Sequence, residues 1–429
     1  MMDALEIEVL YEPRPYFMPL HDSSKRFIFV CAHRRAGKTL ALANHLIRAA
    51  MLNKRKTPPP RYAYVGPSFE QTKDLVFNYL KHYTSTIPDV RHLEGELQVI
   101  LPNGASIRLY GGALSAERIR GIYLDGVVCD EYPLLSPTLF TSILRPALGD
   151  YRGFAIISGT PAADDHFFDM KLRAEADPET WDVFEIPITD TGEIALSHQE
   201  VEDMRRDMSP AEFSREMLCD FSASVEGAYY EAALNALAMQ KRITRVSPDL
   251  NTSVITSFDL GISDLQCAWL FQLAGPEVHF IDYIEDKGKS LSYYADLLAI
   301  KAQAGGFQYR AHLMPHDVEV RELATGHSRR HELMQLLAEP IITVPQHNPA
   351  DGITAVRGVL GVAWFDETAC RKGLARLRGY RQSKSGVPLH DLNSHGADAM
   401  RTGAVGIPLI SGGFNSRSKR LRRRLRGLV

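Results

Sequence analysis

Two short stretches constrain the fold of this chain more than anything else in it: FIFVCAHRRAGKT, Phe27 to Thr39, and, further along, GVVCDE, Gly126 to Glu131. The first is an apolar run that opens into a loop ending Gly37-Lys38-Thr39, and the ALANHLIRAA behind it repeats its apolar residues at helical spacing. Strand, tight loop and helix in that order make a phosphate cradle. Backbone N–H groups of Arg34, Arg35, Ala36 and Gly37 would face the β- and γ-phosphates of a nucleotide, Lys38 would neutralise them, and the Thr39 hydroxyl would hold Mg²⁺. In the second stretch Val127, Val128 and Cys129 read as a buried strand whose end offers Asp130 to the metal and Glu131 to a water. The pair implies a P-loop ATPase. One departure is visible, since Ala32 stands where the GxxxxGK[ST] pattern has its first glycine.

A chain of 429 residues suits two domains, because single cores seldom grow past about 250–300 residues. Its formal net charge of −3 gives no global attraction to nucleic acid, so any DNA contact must come from local patches. Five cysteines, Cys31, Cys129, Cys219, Cys267 and Cys370, are scattered without CxxC spacing and read as small core residues of a reduced, cytosolic protein. No apolar stretch is long enough to cross a bilayer, and the N-terminus does not resemble a signal peptide.

From Phe27 to about Ile188 short apolar runs alternate with helical ones, which argues for a mainly parallel sheet covered on both faces. Pro102 to Gly104 marks a turn between two strands of a hairpin. Residues 1–190 are thus expected to form an α/β ATPase domain. Polar helices in 191–250 suggest a helical connector. A second α/β domain, with a sheet of mixed direction, is expected over 251–411. The basic stretch RSKRLRRRLRGLV, after the glycines near 412, reads as a tail over 412–429, either solvated, as a run of like charge usually is, or binding DNA or an acidic partner surface.

Three acids of the second domain sit where metal ligands would be useful. Asp259 lies in the apolar VITSFDLG, where an unpaired carboxylate would be costly; Asp317 closes AHLMPHD; Asp398 lies in the helical SHGADAMR. Hard cations take oxygen ligands, and two of them roughly 3.5–4 Å apart stabilise both the attacking and the leaving oxygens of a phosphodiester displacement. Singly, an aspartate at a strand end is more often a cap or turn residue. Asp264, Asp282 and Glu285 are further acids that either complete such a site or face solvent. His316, His390 and His395 match no zinc spacing.

An ATPase domain, a connector and a strand-helix domain with these acids, in this order, resembles the large terminase subunit of tailed bacteriophages. The likeness rests on HRRAGKT, on SAERIRG before VVCDE, on IISGTP after it, on FDLG, PHD and HGADAMR, and on the late helix AWFDETACRKGLARLRGYR. It implies an ATP-driven translocase of double-stranded DNA that also cuts the DNA concatemer. Lys38, Thr39 and Asp130 would bind ATP with Mg²⁺, and Glu131 would activate the attacking water. Arg120, with Arg118 as competitor, would reach a neighbouring subunit's nucleotide, and Ser158, Gly159 and Thr160 would couple hydrolysis to motion. The second domain would be a ribonuclease H-like nuclease whose Asp259, Asp317 and Asp398 hold Mg²⁺ or Mn²⁺, two ions in all. Tyr16 and Phe17 precede the first strand where the family contacts the base. The implied partners are DNA, a portal protein, a small terminase subunit and copies of the chain in a pentameric ring, met in the host cytoplasm at the procapsid and absent from the mature virion. Competing readings are a helicase or remodelling ATPase with a non-cleaving nucleic-acid clamp, and an ATP-gated adaptor.

Overall fold

The computed structural model describes residues 10–112, 117–161, 166–221, 223, 227–260, 265–320, 328–383 and 386–425, with side chains as far as 410. The chain divides into two compact units, Met1–Ala223 and Ser224–Val429.

The first unit is built on eight strands: β1 Phe27–Ala32, β2 Arg61–Gly66, β3 Arg91–Leu93, β4 Gln98–Ile100, β5 Ser106–Gly111, β6 Gly126–Cys129, β7 Phe154–Gly159 and β8 Trp181–Ile186. Their order is β3-β4-β5-β2-β6-β7-β1-β8. From β5 to β8 every pairing is parallel, and only the β3-β4-β5 edge runs antiparallel, through the hairpin expected at Pro102–Gly104. Every residue of β1 is buried, which is why it reads as an unbroken apolar run. Its side chains alternate between faces: Ile28, Val30 and Ala32 join one core, Phe27, Phe29 and Cys31 the other. Helix α1, Lys38–Leu52, covers the first of these with Ala41, Leu42, Leu46, Ile47 and Ala50.

Two helices follow the sheet, α2 His198–Asp207 and α3 Pro210–Leu218, each opened by a serine whose hydroxyl accepts from a backbone N–H of the first turn. They close a small cluster around Ile188, Phe213 and Met217. Helix α4, Glu231–Met239, lies in the second unit, where Tyr230, Leu234 and Leu237 enter the main core. The helices of the 191–250 stretch are therefore shared between the two units.

The second unit carries β9 Ile243–Thr244, β10 Val254–Asp259, β11 Leu265–Ala274, β12 Glu277–Lys287, β13 Tyr309–Met314, β14 Ile341–Thr343 and β15 Ala363–Asp366, in the order β14-β13-β10-β11-β12-β15-β9. The direction is mixed as expected: β10-β11-β12 are antiparallel, and β13, β14 and β15 add in parallel. Helix α5, Leu291–Gly305, covers one face with Tyr294 and Leu298. The other face is crossed by α6, Arg371–Gly379, and by α7, Leu392–Leu425, which buries Ala397, Ala399, Met400 and Ala404. Glycines at 412 and 413, where composition suggested a break, leave α7 continuous; a glycine weakens a helix by about 1 kcal/mol without ending it. All five cysteines are buried and unbridged. Among the described residues, no helix is long and apolar enough to cross a membrane.

Candidate functional site

The loop between β1 and α1 explains how Ala32 substitutes for glycine. Ala32 is still a strand residue, paired with Ile186 of β8, so it needs no special backbone angle. The turn is made later, by Arg35 at φ 72° and Gly37 at φ 93°, and Gly37 is the residue for which the left-handed region costs nothing. Lys38 and Thr39 then begin α1 with their N–H groups at the loop. Arg34 and Arg35 are exposed, Ala36 is buried, and the Lys38 ammonium donates to the Ala32 carbonyl at 2.8 Å.

Asp130, at the end of β6, is where the site converges. Its Oδ2 accepts from Thr39 Oγ1 at 2.8 Å and from the Tyr64 hydroxyl at 2.5 Å. Its Oδ1 accepts from Ser158 Oγ at 3.2 Å and from the Glu131 N–H at 3.1 Å. A buried carboxylate is tolerated because it is this well satisfied. Glu131 stands at φ 50° with its carboxylate 4.0 Å from Lys38 Nζ. Burial raises its pKa above the ordinary value, Lys38 opposing and Asp130 adding.

These groups open onto a cavity of about 830 Å³, lined also by Arg34, Gln71, Thr160 and Glu216. Gly159, just before Thr160, is required by packing, because a Cβ there would meet Pro133 Cδ at 2.6 Å. Of the residues expected here, Arg34, Lys38, Thr39, Asp130, Glu131 and Thr160 line the cavity, and Ser158 reaches it through Asp130. Arg120 does not. It is exposed, paired with Glu117, and lines a separate pocket of about 200 Å³; Arg118 is exposed beside it. Ser115 and Ala116 of the same motif lie outside the described residues.

Sequence reasoning missed Tyr64, Arg14 and Gln71. Tyr64 sits in a strand of continuous apolar character, where its single polar atom was the available signal. Arg14 donates to the Ala36 carbonyl at 2.8 Å, and the Tyr16 hydroxyl donates to the same oxygen at 2.8 Å, so the segment before β1 braces the loop. Phe17 is a core residue, and neither it nor Tyr16 lines the cavity.

In the second unit Asp259 ends β10, and His395 Nδ1 lies 3.0 Å from its Oδ2. Asp398, one turn along α7 from His395, is ion-paired with Arg401. Burial pushes its pKa up to about 6, and the charge of Asp259 adds to this against Arg401. Asp317 lies in the turn His316–Glu319 after β13, and its Oδ1 is buried with no hydrogen-bond partner. Because Ser257 pairs with Leu313 in parallel, Asp259 and Asp317 leave the sheet at the same end. Asp259 and Asp398 are thus brought together and Asp317 is placed at the adjoining strand end. Among the described residues, no group of three or more His, Cys, Asp and Glu is close enough to hold a metal.

The other acids have partners of their own. Glu285 is buried against Arg376, with Nη2 at 2.7 Å from Oε1 and Nε at 2.9 Å from Oε2, and against Lys372 at 3.1 Å. Burial works against its charge, yet Arg376 and Lys372 take its pKa down to about 2. Asp282 pairs with Lys301. Asp264 lies outside the described residues.

Residues 31–234 match the family model described as terminase large subunit, T4likevirus-type, N-terminal. The chain is similar to the large terminase of the thermophilic bacteriophage D6E, at 18% identity over 93% of this chain and 100% of that one, TM-score 0.45. It is also similar to the HK97 bacteriophage large terminase, at 13% identity over 90% and 92%, TM-score 0.45. The large terminase ATPase domain of Thermus phage P74-26 is 17% identical over 49% of this chain and 95% of that one, TM-score 0.42. No curated protein matches.

Proposed function

From the match of residues 31–234 to the model of large terminase subunits, we propose that the chain hydrolyses ATP to drive double-stranded DNA into a procapsid and cuts the concatemer with its second unit. The observation that carries the motor half is Asp130, held by Thr39, Tyr64 and Ser158 beside Lys38 and Glu131 at the mouth of one cavity.

The geometry supports the following roles. Lys38 and the loop N–H groups bind and neutralise the phosphates. Thr39 and Asp130 are fixed to each other, so they present oxygens to a cation without rearrangement. Glu131, its pKa raised by burial, is suited to orient a water and take its proton. Mg²⁺ bound there would screen charge developing on the transferred phosphoryl group. Arg120, exposed outside its own chain's cavity, would exchange its solvent-facing pair with Glu117 for a neighbour's nucleotide in a ring, where such an arginine is worth about 10³–10⁵ in rate. We place the protein in the host cytoplasm at the portal, with a small terminase subunit as partner.

For the second unit, Asp259, Asp317 and Asp398 would hold Mg²⁺ or Mn²⁺. The unpartnered Oδ1 of Asp317 and the like-charged pair Asp259 and Asp398 both suit a cation. Bound cations would supply charge stabilisation and an activated water. His395 orients Asp259, and Arg401 holds Asp398.

The test is separability. Lys38→Ala is expected to abolish ATPase and packaging while Mn²⁺-dependent cutting of supercoiled plasmid persists, and Asp259→Ala to do the reverse; equal loss of both activities in a folded Lys38→Ala protein counts against the proposal. One observation favours a non-cleaving clamp instead: Arg401 already neutralises Asp398. Plasmid cutting without ATP that vanishes in Asp398→Ala excludes the clamp.

A further inference from the structure

The first unit has a second charged cavity, of about 430 Å³, at the opposite end of its sheet. Lys25 and Arg26 enter it just before β1, Arg152 just before β7, and Arg48 from α1. The nucleotide cavity collects the carboxyl ends of the strands and this one their amino ends, about 20 Å away along six-residue strands.

Four cations line it against one acid. The acid in its lining is Asp125, which Arg55 holds at 2.5 Å and which also accepts the Arg61 N–H at 2.9 Å. The cations are positioned by carbonyls, which fix them without cancelling charge: Arg26 by Leu148 at 2.9 Å and Gly153 at 3.1 Å, Arg48 by His21 at 2.6 Å, and Lys25 by Pro178 at 2.9 Å. Burial, then the proximity of Arg145 and Arg152, lowers the Arg26 pKa from its usual value, as mutual repulsion requires. The Arg152 guanidinium makes no hydrogen bond or ion pair among the described residues, and its backbone is held at φ 50°. In a chain of net charge −3, such a concentration of fixed cations is no by-product of composition.

We propose that this cavity is a phosphate-binding site, and that its occupant is a backbone phosphate of duplex DNA. The choice of DNA rests on the motor reading above. Contacts of this kind grip without reading sequence, as stepping along a duplex requires.

The test uses the full chain, a fluorescent duplex and a salt series. Arg152→Gly removes the charge at a backbone angle glycine prefers, so the fold is preserved, which an unchanged melting temperature checks. The slope of log K against log salt is expected to fall by about one unit in Arg152→Gly and by about two in Arg152→Gly/Arg48→Gln. Arg91→Gln, on the exposed β3 edge, is expected to leave it unchanged. A double variant with the wild-type slope overturns the site. Inorganic phosphate supplies the second arm: if it raises the melting temperature of wild type but not of Arg152→Gly while the DNA slope is unaltered, the cavity takes free phosphate and DNA as occupant is refuted. Wild type that binds no duplex at all sinks the motor reading, whereas binding with an unaltered variant slope sinks only this cavity.

Discussion

Asp130 shows how much chemistry can hang on one carboxylate. Its oxygens are shared among Thr39, Tyr64, Ser158 and the N–H of Glu131, so the group is oriented before any substrate arrives. Tyr64 gives the most direct test of this. A hydrogen bond to a charged group contributes about 1.5–3 kcal/mol, so Tyr64→Phe is expected to lower ATPase turnover roughly tenfold to a hundredfold and to raise the Mg²⁺ concentration required, with the fold intact. Steady-state kinetics across a Mg²⁺ series measure both, and unaltered kinetics would show that Thr39 and Ser158 suffice. That Lys38, Thr39, Asp130 and Glu131 would meet was legible in the sequence, because the proposed phosphate and metal chemistry calls for those residue types at fixed spacing, and they do line one cavity. Tyr64 and Arg14 were not, because Tyr64 meets Asp130 across neighbouring strands and Arg14 reaches the loop at Ala36 from the chain before β1. The alanine at 32 looked like a flaw only until the turn proved to lie at Arg35 and Gly37.

The elements that carry these residues are held by close approach and by charge. β7 passes Pro133 so tightly that Gly159→Ala is expected to destabilise the first unit by about 1–3 kcal/mol and to reduce ATPase, measured by denaturant unfolding and turnover together. In the second unit, Glu285 on β12 and Arg376 on α6 form a buried pair. Breaking such a pair leaves an uncompensated charge, so Glu285→Gln is expected to cost about 3–5 kcal/mol. The pH dependence has a definite sign. The folded pKa of Glu285 is depressed to about 2, so its contribution is complete above the ordinary carboxylate value and is lost as pH falls toward that figure. Acid unfolding of the wild type should therefore steepen across that window, and the slope should be weaker in Glu285→Gln. Glu285, left open in the sequence as a further metal ligand, is ion-paired instead with a helix far along the chain.

Each unit of the molecule owns a core: the first is built around β1 and its two faces, the second around Trp269, Phe271, Phe280 and Phe365. Calorimetry is expected to resolve two transitions. A nucleotide at a hundred times its Kd stabilises its host by about 2.7 kcal/mol, and it should shift one transition and leave the other in place. A single shifted transition would mean that the two cores melt together. The alternation of strand and helix, the mainly parallel first sheet and the mixed second sheet could all be read from the chain, since period and turn chemistry are local properties. So could several of the residues that line the first unit's cavity, Lys38, Thr39, Asp130 and Glu131 among them. What the tertiary structure alone decided was company: that Asp259 meets His395 and Asp398, that Glu285 is claimed by Arg376, that Arg120 stands apart from its own chain's nucleotide cavity, and that four cations gather at the amino ends of the strands. Such meetings depend on strand order and helix crossing. These follow from the burial of whole faces, and no local spacing encodes them.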